Sequence, residues 1–354
     1  LAQDKAETSA GGDYKALVCV FLGGGNDSNN MVVPKYTEGY AQYAAARSAQ
    51  GLAIAKDNLL SVTPPTLGAE FGLHPSLAEL HTLWGQNKLA VVTNVGTLVQ
   101  PLTRAQYQSG APRPDQLFSH SNQVEQFRTA ISNYNSTTGW GGRIADRLNG
   151  LNAGALIPMA TSIFSGSNSF PVGSVTPPLI VAPAPTPLNL VLTLNGFTTA
   201  ADDVARKTAM QNIRGADLNV SLVQATSVLT QQAVNVSEQL GQDPPLTAAF
   251  PNTTLGNQLR QVAKIMKLRE QFGISRQIFY CQLGGFDTHS GQLNMQSSLL
   301  QQVSQAIKAF YDETVAQGVA SQVTTFTMSD FNRTFNPAGS GGNVGSDHGW
   351  GGHH

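Results

Sequence analysis

One run of residues near the start of the chain constrains the fold more than any other feature. Lys15–Leu22 (KALVCVFL) is almost continuously apolar and stops at a triple glycine. Such a run is typical of a strand in a parallel sheet, because helices cover both faces of that kind of sheet. Three later segments, 89–95 (LAVVTNV), 277–283 (QIFYCQL) and 323–329 (VTTFTMS), show the same pattern. The sequence therefore predicts four buried strands.

Helical patterns separate these strands. They lie in residues 75–84, 122–131, 199–240, 254–272 and 292–317. Amphipathic spacing or helix-favouring composition indicates a helix in each. Asn122 is followed three residues later by Glu125, a capping-box pattern that makes Asn122 the expected N-cap. Strands alternating with helices predict an α/β fold, with a mostly parallel central sheet flanked by helices.

The remaining segments indicate how the chain is organised. Residues 1–14 are polar and contain glycine, and we expect them to form a flexible N-terminal lead. Residues 15–354 are expected to form a single α/β domain. The segment from about 150 to 200 is rich in Pro, Ser and Thr (for example FPVGSVTPPLIVAPAPTPLNL), which predicts an insertion or cap of short strands and loops.

Composition and charge exclude two kinds of partner. Charged residues make up only 12% of the chain and the formal net charge is −1, so we expect no nucleic-acid partner. No apolar stretch reaches the roughly 18 residues of a membrane-spanning helix. The first residues, Leu-Ala-Gln-Asp, resemble what signal-peptide cleavage leaves, which favours an exported, periplasmic or extracellular protein. Simple trimming of the chain is the alternative.

The two cysteines lie inside apolar runs. Cys19 falls in the first expected strand and Cys281 in the third. We expect two buried free thiols that pack as small hydrophobic side chains. A disulfide between neighbouring strands is the alternative, because spacing alone does not exclude it.

Acidic residues follow three of the four expected strands. The side chains concerned are Asp27 (GGGND), Asp287 and His289 (GGFDTHS), and Asp330 and Arg333 (SDFNRT). Asp347 and His348 (SDHG) come shortly after the last of them. Because ligands of parallel sheets bind at the carboxyl ends of the strands, we expect these groups to meet at one edge.

Carboxylates and imidazoles that meet at one edge of a sheet repel one another or stay partly protonated unless a cation or a hydrogen-bond network intervenes. Asp and His are the usual ligands of Zn²⁺, and of Mn²⁺ where carboxylates dominate, with Ca²⁺ or Mg²⁺ as alternatives. The predicted metal ligands are Asp27, Asp287, His289, Asp330, Asp347 and His348. Several of them also have an ordinary structural interpretation: a turn or N-cap residue for Asp27, a local hydrogen-bonded pair for Asp287 with His289, and a polar loop for Asp347 with His348.

Several motifs together resemble a known group of proteins. They are FLGGGNDSNNMVVP, FGLHPSLAELHTLWGQNKLAVVTNVGTLVQPLTRAQY, LFSHSNQ, GWGGRIADRL, LGGFDTHSGQ, TTFTMSDFNRTF and GSDHGWGGHH. The chain resembles the alkaline-phosphatase and sulfatase superfamily, and within it a large bacterial family of sulfatase-like proteins usually exported by the twin-arginine route. The resemblance covers nearly the whole chain and implies an alkaline-phosphatase-like fold. Members of that family generally continue past the position of His354, so it also implies a C-terminally truncated chain.

The resemblance also implies individual roles. Asp27 matches the first-strand metal position, Asp287 and His289 match the middle ligands, and Asp347 and His348 match the paired Asp-His of SDHG. Asp330 also follows a strand, so it is an alternative ligand, with His348 as the final histidine.

The superfamily uses a Ser, Thr or modified Cys at a helix N-terminus as its nucleophile. Ser119 fits that place best, with Ser121 and Thr97 as alternatives, and plain helix capping is the other interpretation of Ser119 and Ser121. His120 would bind the leaving group or simply pack. Arg333 would bind a non-bridging oxygen or form a structural salt bridge.

The predicted function is an exported metal-dependent hydrolase acting on a phosphate or related ester of a small molecule or polymer. The alternative is a non-catalytic surface, matrix or carbohydrate-binding protein on the same fold, able to self-associate and using metal only for structure. The low charge and the lack of one clearly identified nucleophile motivate this alternative.

Overall fold

A five-stranded parallel sheet forms the centre of the protein. The computed structural model describes residues 14–133, 136–188, 198–339 and 341–354. The strands of the central sheet are Lys15–Leu22 (β1), Ala160–Ser162 (β5), Leu179–Ile180 (β6), Arg276–Leu283 (β7) and Val323–Ser329 (β8). They are arranged in the order β6-β5-β7-β1-β8, and every neighbouring pair is parallel. A small antiparallel sheet contains Val32–Pro34 (β2), Leu60–Val62 (β3) and Phe71–Leu73 (β4), in the order β2-β4-β3.

Ten α-helices accompany the two sheets in the described residues. They are Ser28–Met31 (α1), Thr37–Arg47 (α2), Ala78–Gly85 (α3), Arg104–Gln108 (α4), His120–Thr129 (α5), Trp140–Leu148 (α6), Ala201–Arg214 (α7), Ser221–Gln239 (α8), Thr254–Lys267 (α9) and Gln292–Ala316 (α10). Among these, no helix combines the length and the apolar character needed to cross a bilayer.

Alternate side chains of the central strands pack into two separate cores. Val18 and Val20 of β1 face the cluster that contains Val262 of α9 and Val303 of α10. Cys19 and Phe21 point the other way and join a smaller cluster with α6. Helices thus cover both faces of the sheet, which confirms the predicted α/β fold with a mostly parallel sheet flanked by helices.

Three of the four predicted strands are confirmed. The apolar runs at 15–22, 277–283 and 323–329 form β1, β7 and β8. The fourth prediction, a buried strand at 89–95, is wrong. Val92 in this segment is 60% exposed, and the backbone pairs only at Val92 with His354 and at Val95 with Gly352. Without a neighbouring strand along its length, the apolar run does not form a strand.

The helix predictions hold in position but not at every end. The pattern at 122–131 corresponds to α5, which begins two residues earlier, at His120, with Ser119 as N-cap. Asn122 therefore lies inside the first turn, and its expected capping role is wrong. The patterns at 75–84, 199–240, 254–272 and 292–317 are occupied by α3, by α7 and α8, by α9 and by α10.

The Pro-rich segment contributes to the main sheet. Its short strands β5 and β6 extend the central sheet beyond β7 and do not form a separate cap. Residues 189–197 of this segment lie outside the described residues, as do residues 1–13 of the expected flexible lead. Tyr14, the last residue of that lead, is buried and its hydroxyl donates to Gln277 Oε1 at 2.6 Å.

Both cysteines are free and buried, as expected. Burial raises the pKa of both thiols above the ordinary value. We predict that a thiol reagent such as DTNB leaves the native protein unmodified and titrates two thiols per chain after unfolding. Modification measured by absorbance on the folded protein tests this. Rapid labelling of either thiol would show that the strand bearing it is accessible.

Candidate metal centre

The register of three strands places the candidate residues at one edge. Leu22 of β1 aligns with Leu283 of β7 and with Ser329 of β8, so the three strands end level with one another. The loops that follow therefore leave the sheet side by side. Gly24 has φ +116°, and a β-carbon there would lie 2.4 Å from the amide nitrogen of Asp287. Glycine is required because the two loops approach this closely.

Three imidazole rings in this region share one hydrogen-bonding pattern. Nδ1 of His120 lies 2.8 Å from Asp330 Oδ2, and Nδ1 of His289 lies 3.1 Å from Asp347 Oδ1. Nδ1 of His348 lies 2.7 Å from the carbonyl oxygen of Phe118. Carbonyl and ionised carboxylate oxygens only accept hydrogen bonds, so each Nδ1 carries the proton. In the neutral rings, Nε2 then keeps its lone pair.

The Nε2 atoms of the three rings converge on Asp287. Oδ1 of Asp287 lies 3.3 Å from Nε2 of His120, 3.0 Å from that of His289 and 3.6 Å from that of His348. The Nε2 atoms of His289 and His348 are themselves 3.0 Å apart. Two lone pairs at this distance repel each other unless a proton or a cation lies between them.

His120 supplies a further indication that this cluster can bind a ligand. Its Nε2 is buried and, although Asp287 Oδ1 is 3.3 Å away, it makes no hydrogen bond among the described residues. A buried polar atom without a partner is costly, and in a native structure it points to a group that binds there. Ligand atoms of His120, Asp287 and His348 all lie within 4.8 Å of one another, close enough to hold one metal ion.

The electrostatics of the cluster follow from its charged groups. Burial raises the pKa of Asp287, but the hydrogen bond and charge of Arg333 and the nearby imidazoles outweigh it, so the pKa is lowered. The hydrogen bond between His120 and Asp330 raises the pKa of His120. Partial burial is the main cause that lowers the pKa of His348, and repulsion from His120, Arg333 and His289 lowers it further. The Asp287 carboxylate is therefore ionised, and His348 is biased towards the neutral form that binds metals.

Asp330 and Asp347 stand behind the imidazoles. Asp330 is 2% exposed and accepts from His120 and from the amide of Gly24. Asp347 accepts from His289. Carboxylates that hold a ring through Nδ1 orient a metal-binding histidine and raise its basicity. The structure thus brings both residues to the cluster as partners of histidines.

Arg333 is 1% exposed, and Nε, Nη1 and Nη2 each contact a group inside the protein. Nε donates to Gly25 O at 3.0 Å, Nη2 donates to Phe286 O and to Asp287, and Nη1 lies 3.4 Å from His289 Nε2. The expected contact of Arg333 with a non-bridging oxygen of a substrate has no geometric basis, because no donor faces solvent. The structural salt bridge describes this side chain better.

Asp27 is not brought into the cluster. Its carboxylate accepts from Arg47 Nη1 at 2.6 Å and Nη2 at 3.1 Å, from Asn29 and from Gln292. The side chains of Asp27 and Arg47 are both fully buried. These donors occupy the lone pairs of both oxygens, so the predicted role as a metal ligand lacks geometric support.

The candidate nucleophiles occupy three different environments. Ser119 directly precedes His120, makes no capping bond to the first turn, and donates instead to Asn122 Oδ1 at 2.9 Å. Ser121 is exposed at the start of α5. Thr97 is buried and donates to Gln123 Oε1 at 2.8 Å. Ser119 and Ser121 flank His120 in the sequence, whereas Thr97 is not adjacent to a residue of the cluster. Among the described residues, no base contacts the Ser119 hydroxyl.

Two contributors escaped the sequence predictions. Phe118 has φ +74°, a conformation that a side chain with a β-carbon rarely adopts, and its carbonyl oxygen accepts from His348. Arg47 holds Asp27 from a helix that the patterns did not single out. Phe118 lies in the LFSHSNQ motif and Arg47 lies in none of the quoted motifs, but the direction of a carbonyl group and the burial of a guanidinium leave no signal in the residue pattern.

We predict that nitrogen NMR of the metal-free protein at mildly alkaline pH shows His120, His289 and His348 as Nδ1–H tautomers. The three acceptors on Nδ1 enforce this state. His81, whose Nε2 instead contacts Ser61 O at 2.8 Å, serves as the internal control with the opposite tautomer. An Nε2–H form in the three cluster histidines would remove the arrangement described above.

Comparison with known proteins adds one match. A profile of the family described as "Protein of unknown function (DUF1501)" matches residues 14–354. Neither a search of the curated proteins nor a search of the solved structures found a match.

This match corrects the resemblance drawn from the motifs. The assignment to the alkaline-phosphatase and sulfatase superfamily is wrong, because the matching family is an uncharacterised one and the comparisons give no sign of that superfamily. The α/β class rests on the observed sheet and is unaffected. Since the match covers nearly the whole chain, the protein belongs to the DUF1501 family.

Proposed function

We propose that the protein is a metal-dependent hydrolase that acts on a phosphate or related ester. The observation that carries the proposal is the convergence of three imidazole Nε2 atoms on the carboxylate of Asp287. Each ring is fixed by an acceptor on Nδ1, as the histidine ligands of metal enzymes are.

The donor set fits a particular class of ion. Imidazoles with one carboxylate suit Zn²⁺ best, and Mn²⁺ remains an alternative. Ca²⁺ and Mg²⁺ are less well suited because both prefer oxygen ligands throughout. The ion would be held by His120, His348 and Asp287, with His289 adjacent. When the imidazoles are neutral, the cluster holds the carboxylates of Asp287, Asp330 and Asp347 and one guanidinium, that of Arg333. A divalent cation would therefore also neutralise the excess negative charge.

The site is open enough to admit a substrate. The side chains of Asp287 and His289 are 49% and 47% exposed, whereas Asp330 behind them is buried. A catalytic metal site keeps an accessible position of this kind, and a structural site is closed by protein ligands. Exposure of the ligands on one side and burial of their partners on the other therefore supports catalysis over a purely structural role.

The chemistry divides between the ion and the chain. A bound divalent ion would polarise the ester and supply an activated water at neutral pH. The carboxylates of Asp330 and Asp347 keep two imidazoles in the tautomer that binds the ion. Arg333 holds Asp287 in place and keeps it ionised.

The start of α5 favours an anionic ester. Ser119 leaves the first-turn N–H groups of this helix without a side-chain cap. Uncapped N–H groups at a helix N-terminus bind phosphate and similar anions. The helix begins at His120, so these donors stand beside the cluster and could hold the oxygens of a phosphoryl group.

We predict that the protein binds Zn²⁺ and that Asp287→Asn or His348→Ala weakens binding by at least about 100-fold, because each removes a ligand. Asp330→Ala should cost about 10–100-fold, since it removes only the partner of a ligand. Competition titration with a chromogenic chelator measures all of these.

The control is His81→Ala on α3, which removes a histidine outside the cluster and should bind like the unmodified protein. Equal affinity in His348→Ala and His81→Ala would refute a metal site at this position.

We further predict metal-dependent turnover of chromogenic phosphomonoesters or phosphodiesters, lost in Asp287→Asn. Ser119→Ala should retain most of the activity, because no base in the described part of the chain contacts the Ser119 hydroxyl and attack by water is favoured. Steady-state rates with and without Zn²⁺ or Mn²⁺ test this. Complete loss in Ser119→Ala would instead support the serine nucleophile expected from the sequence. Metal binding without turnover of any ester would favour the non-catalytic alternative.

A further inference from the structure

A buried ion pair lies beneath the loops that carry the cluster. Arg47 is the last residue of α2 and Asp27 follows the glycine turn after β1. Their side chains have no exposed surface. A buried pair of this kind is stable only if further hydrogen bonds satisfy the remaining donors and acceptors.

Arg47 uses every donor of its guanidinium. Nη1 and Nη2 donate to Asp27, and Nη1 also donates to Asn30 Oδ1 at 2.6 Å. The remaining bonds go to backbone: Nη2 donates to Thr334 O at 3.0 Å and Nε to Phe335 O at 2.8 Å. Arg47 thus fixes the two residues that directly follow Arg333.

Asp27 is linked through Gln292 to Ser346, in the stretch that also carries His348. Gln292, the first residue of α10, donates through Nε2 to Asp27, and its Oε1 accepts from the hydroxyl of Ser346. Gln292 and Ser346 are both fully buried. Ser346 directly precedes Asp347 and His348, so the ion pair also fixes the stretch that carries these two residues.

The two stretches are joined to each other as well. The amide of Thr334 donates to Asp347 O at 2.9 Å, and the amide of Asp347 donates to Thr334 Oγ1 at 3.0 Å. Arg333 and His348 form an antiparallel β-bridge between the same two stretches. A displacement of residues 334–335 would therefore move His348 and the acceptor of His289 together.

We infer that Arg47 and Asp27 are positioning residues of the metal centre, acting through residues 334–335 and 346. The expected effect on Zn²⁺ affinity rests on the proposed function, whereas the expected effect on the histidine resonances does not. A planar guanidinium with five donors is needed, because a lysine ammonium has three donors and cannot reach the same acceptors in one plane.

Arg47→Lys tests the inference while keeping the charge that neutralises Asp27. We expect a lower melting temperature and a loss of Zn²⁺ affinity of about 10–100-fold, the usual effect of removing a supporting contact. In the metal-free protein, the imidazole nitrogen resonances of His289 and His348 should shift. Ser346→Ala, which removes one uncharged link, should cause smaller changes in the same direction and remains informative if Arg47→Lys does not fold.

Tyr43→Phe is the matched control. The Tyr43 hydroxyl donates to Asn30 Oδ1 at 2.7 Å and accepts from the amide of Ile54 at 2.9 Å, so its loss destabilises the same buried region. It makes no bond to residues 334–335 or 346. We expect a lower melting temperature with unchanged Zn²⁺ affinity and unchanged histidine resonances.

The outcomes separate the two ideas. Unchanged histidine resonances in both Arg47→Lys and Ser346→Ala would overturn the positioning role, as would equal Zn²⁺ affinities in Arg47→Lys and Tyr43→Phe. If the unmodified protein binds no Zn²⁺ but the histidine resonances shift in Arg47→Lys and Ser346→Ala, the positioning role stands and the metal centre is rejected.

Discussion

The level register of three parallel strands underlies the whole arrangement at the sheet edge. Backbone hydrogen bonds fix Leu22, Leu283 and Ser329 in one row, so the loops after β1, β7 and β8 start at the same height. A slip of one residue would turn every following side chain to the other face of the sheet. The two cores of alternating β1 side chains oppose such a slip, because it would move each set into the core that is packed around the other set. The packing of the sheet thus sets the geometry of the cluster.

Three aspartates at this edge, Asp27, Asp330 and Asp287, take different roles that follow from the groups around them. Asp27 is fully buried, so it needs the compensating charge of Arg47 and has no lone pair to spare. Asp330 is buried beside the imidazole of His120 and accepts a hydrogen bond from its protonated nitrogen. Asp287 is half exposed, held on one side by Arg333, and faces three imidazole nitrogens. Only this last environment leaves a carboxylate available to an ion.

The residue pattern predicted the elements that depend on local physics. A continuous apolar run predicts burial on both faces, and β1, β7 and β8 follow it. The same pattern at 89–95 failed, because periodicity reports that a segment can be buried and says nothing about whether a neighbour is there to pair with it. The N-cap of α5 was misplaced for a related reason: Ser119 and Asn122 both suit a cap, and the choice depends on where the preceding turn directs the chain.

By itself, the sequence determined the fold class, three of the central strands and the fact that acidic and histidine side chains follow them. These features depend on hydrophobic periodicity and chain order, which are local. The tertiary structure alone decided that Arg47 claims Asp27, that Arg333 is sealed inside the protein, and that Phe118 presents its carbonyl to His348. Hydrogen bonding and metal ligation depend on distances of a few ångströms between residues far apart in the chain. Only the packed fold sets those distances.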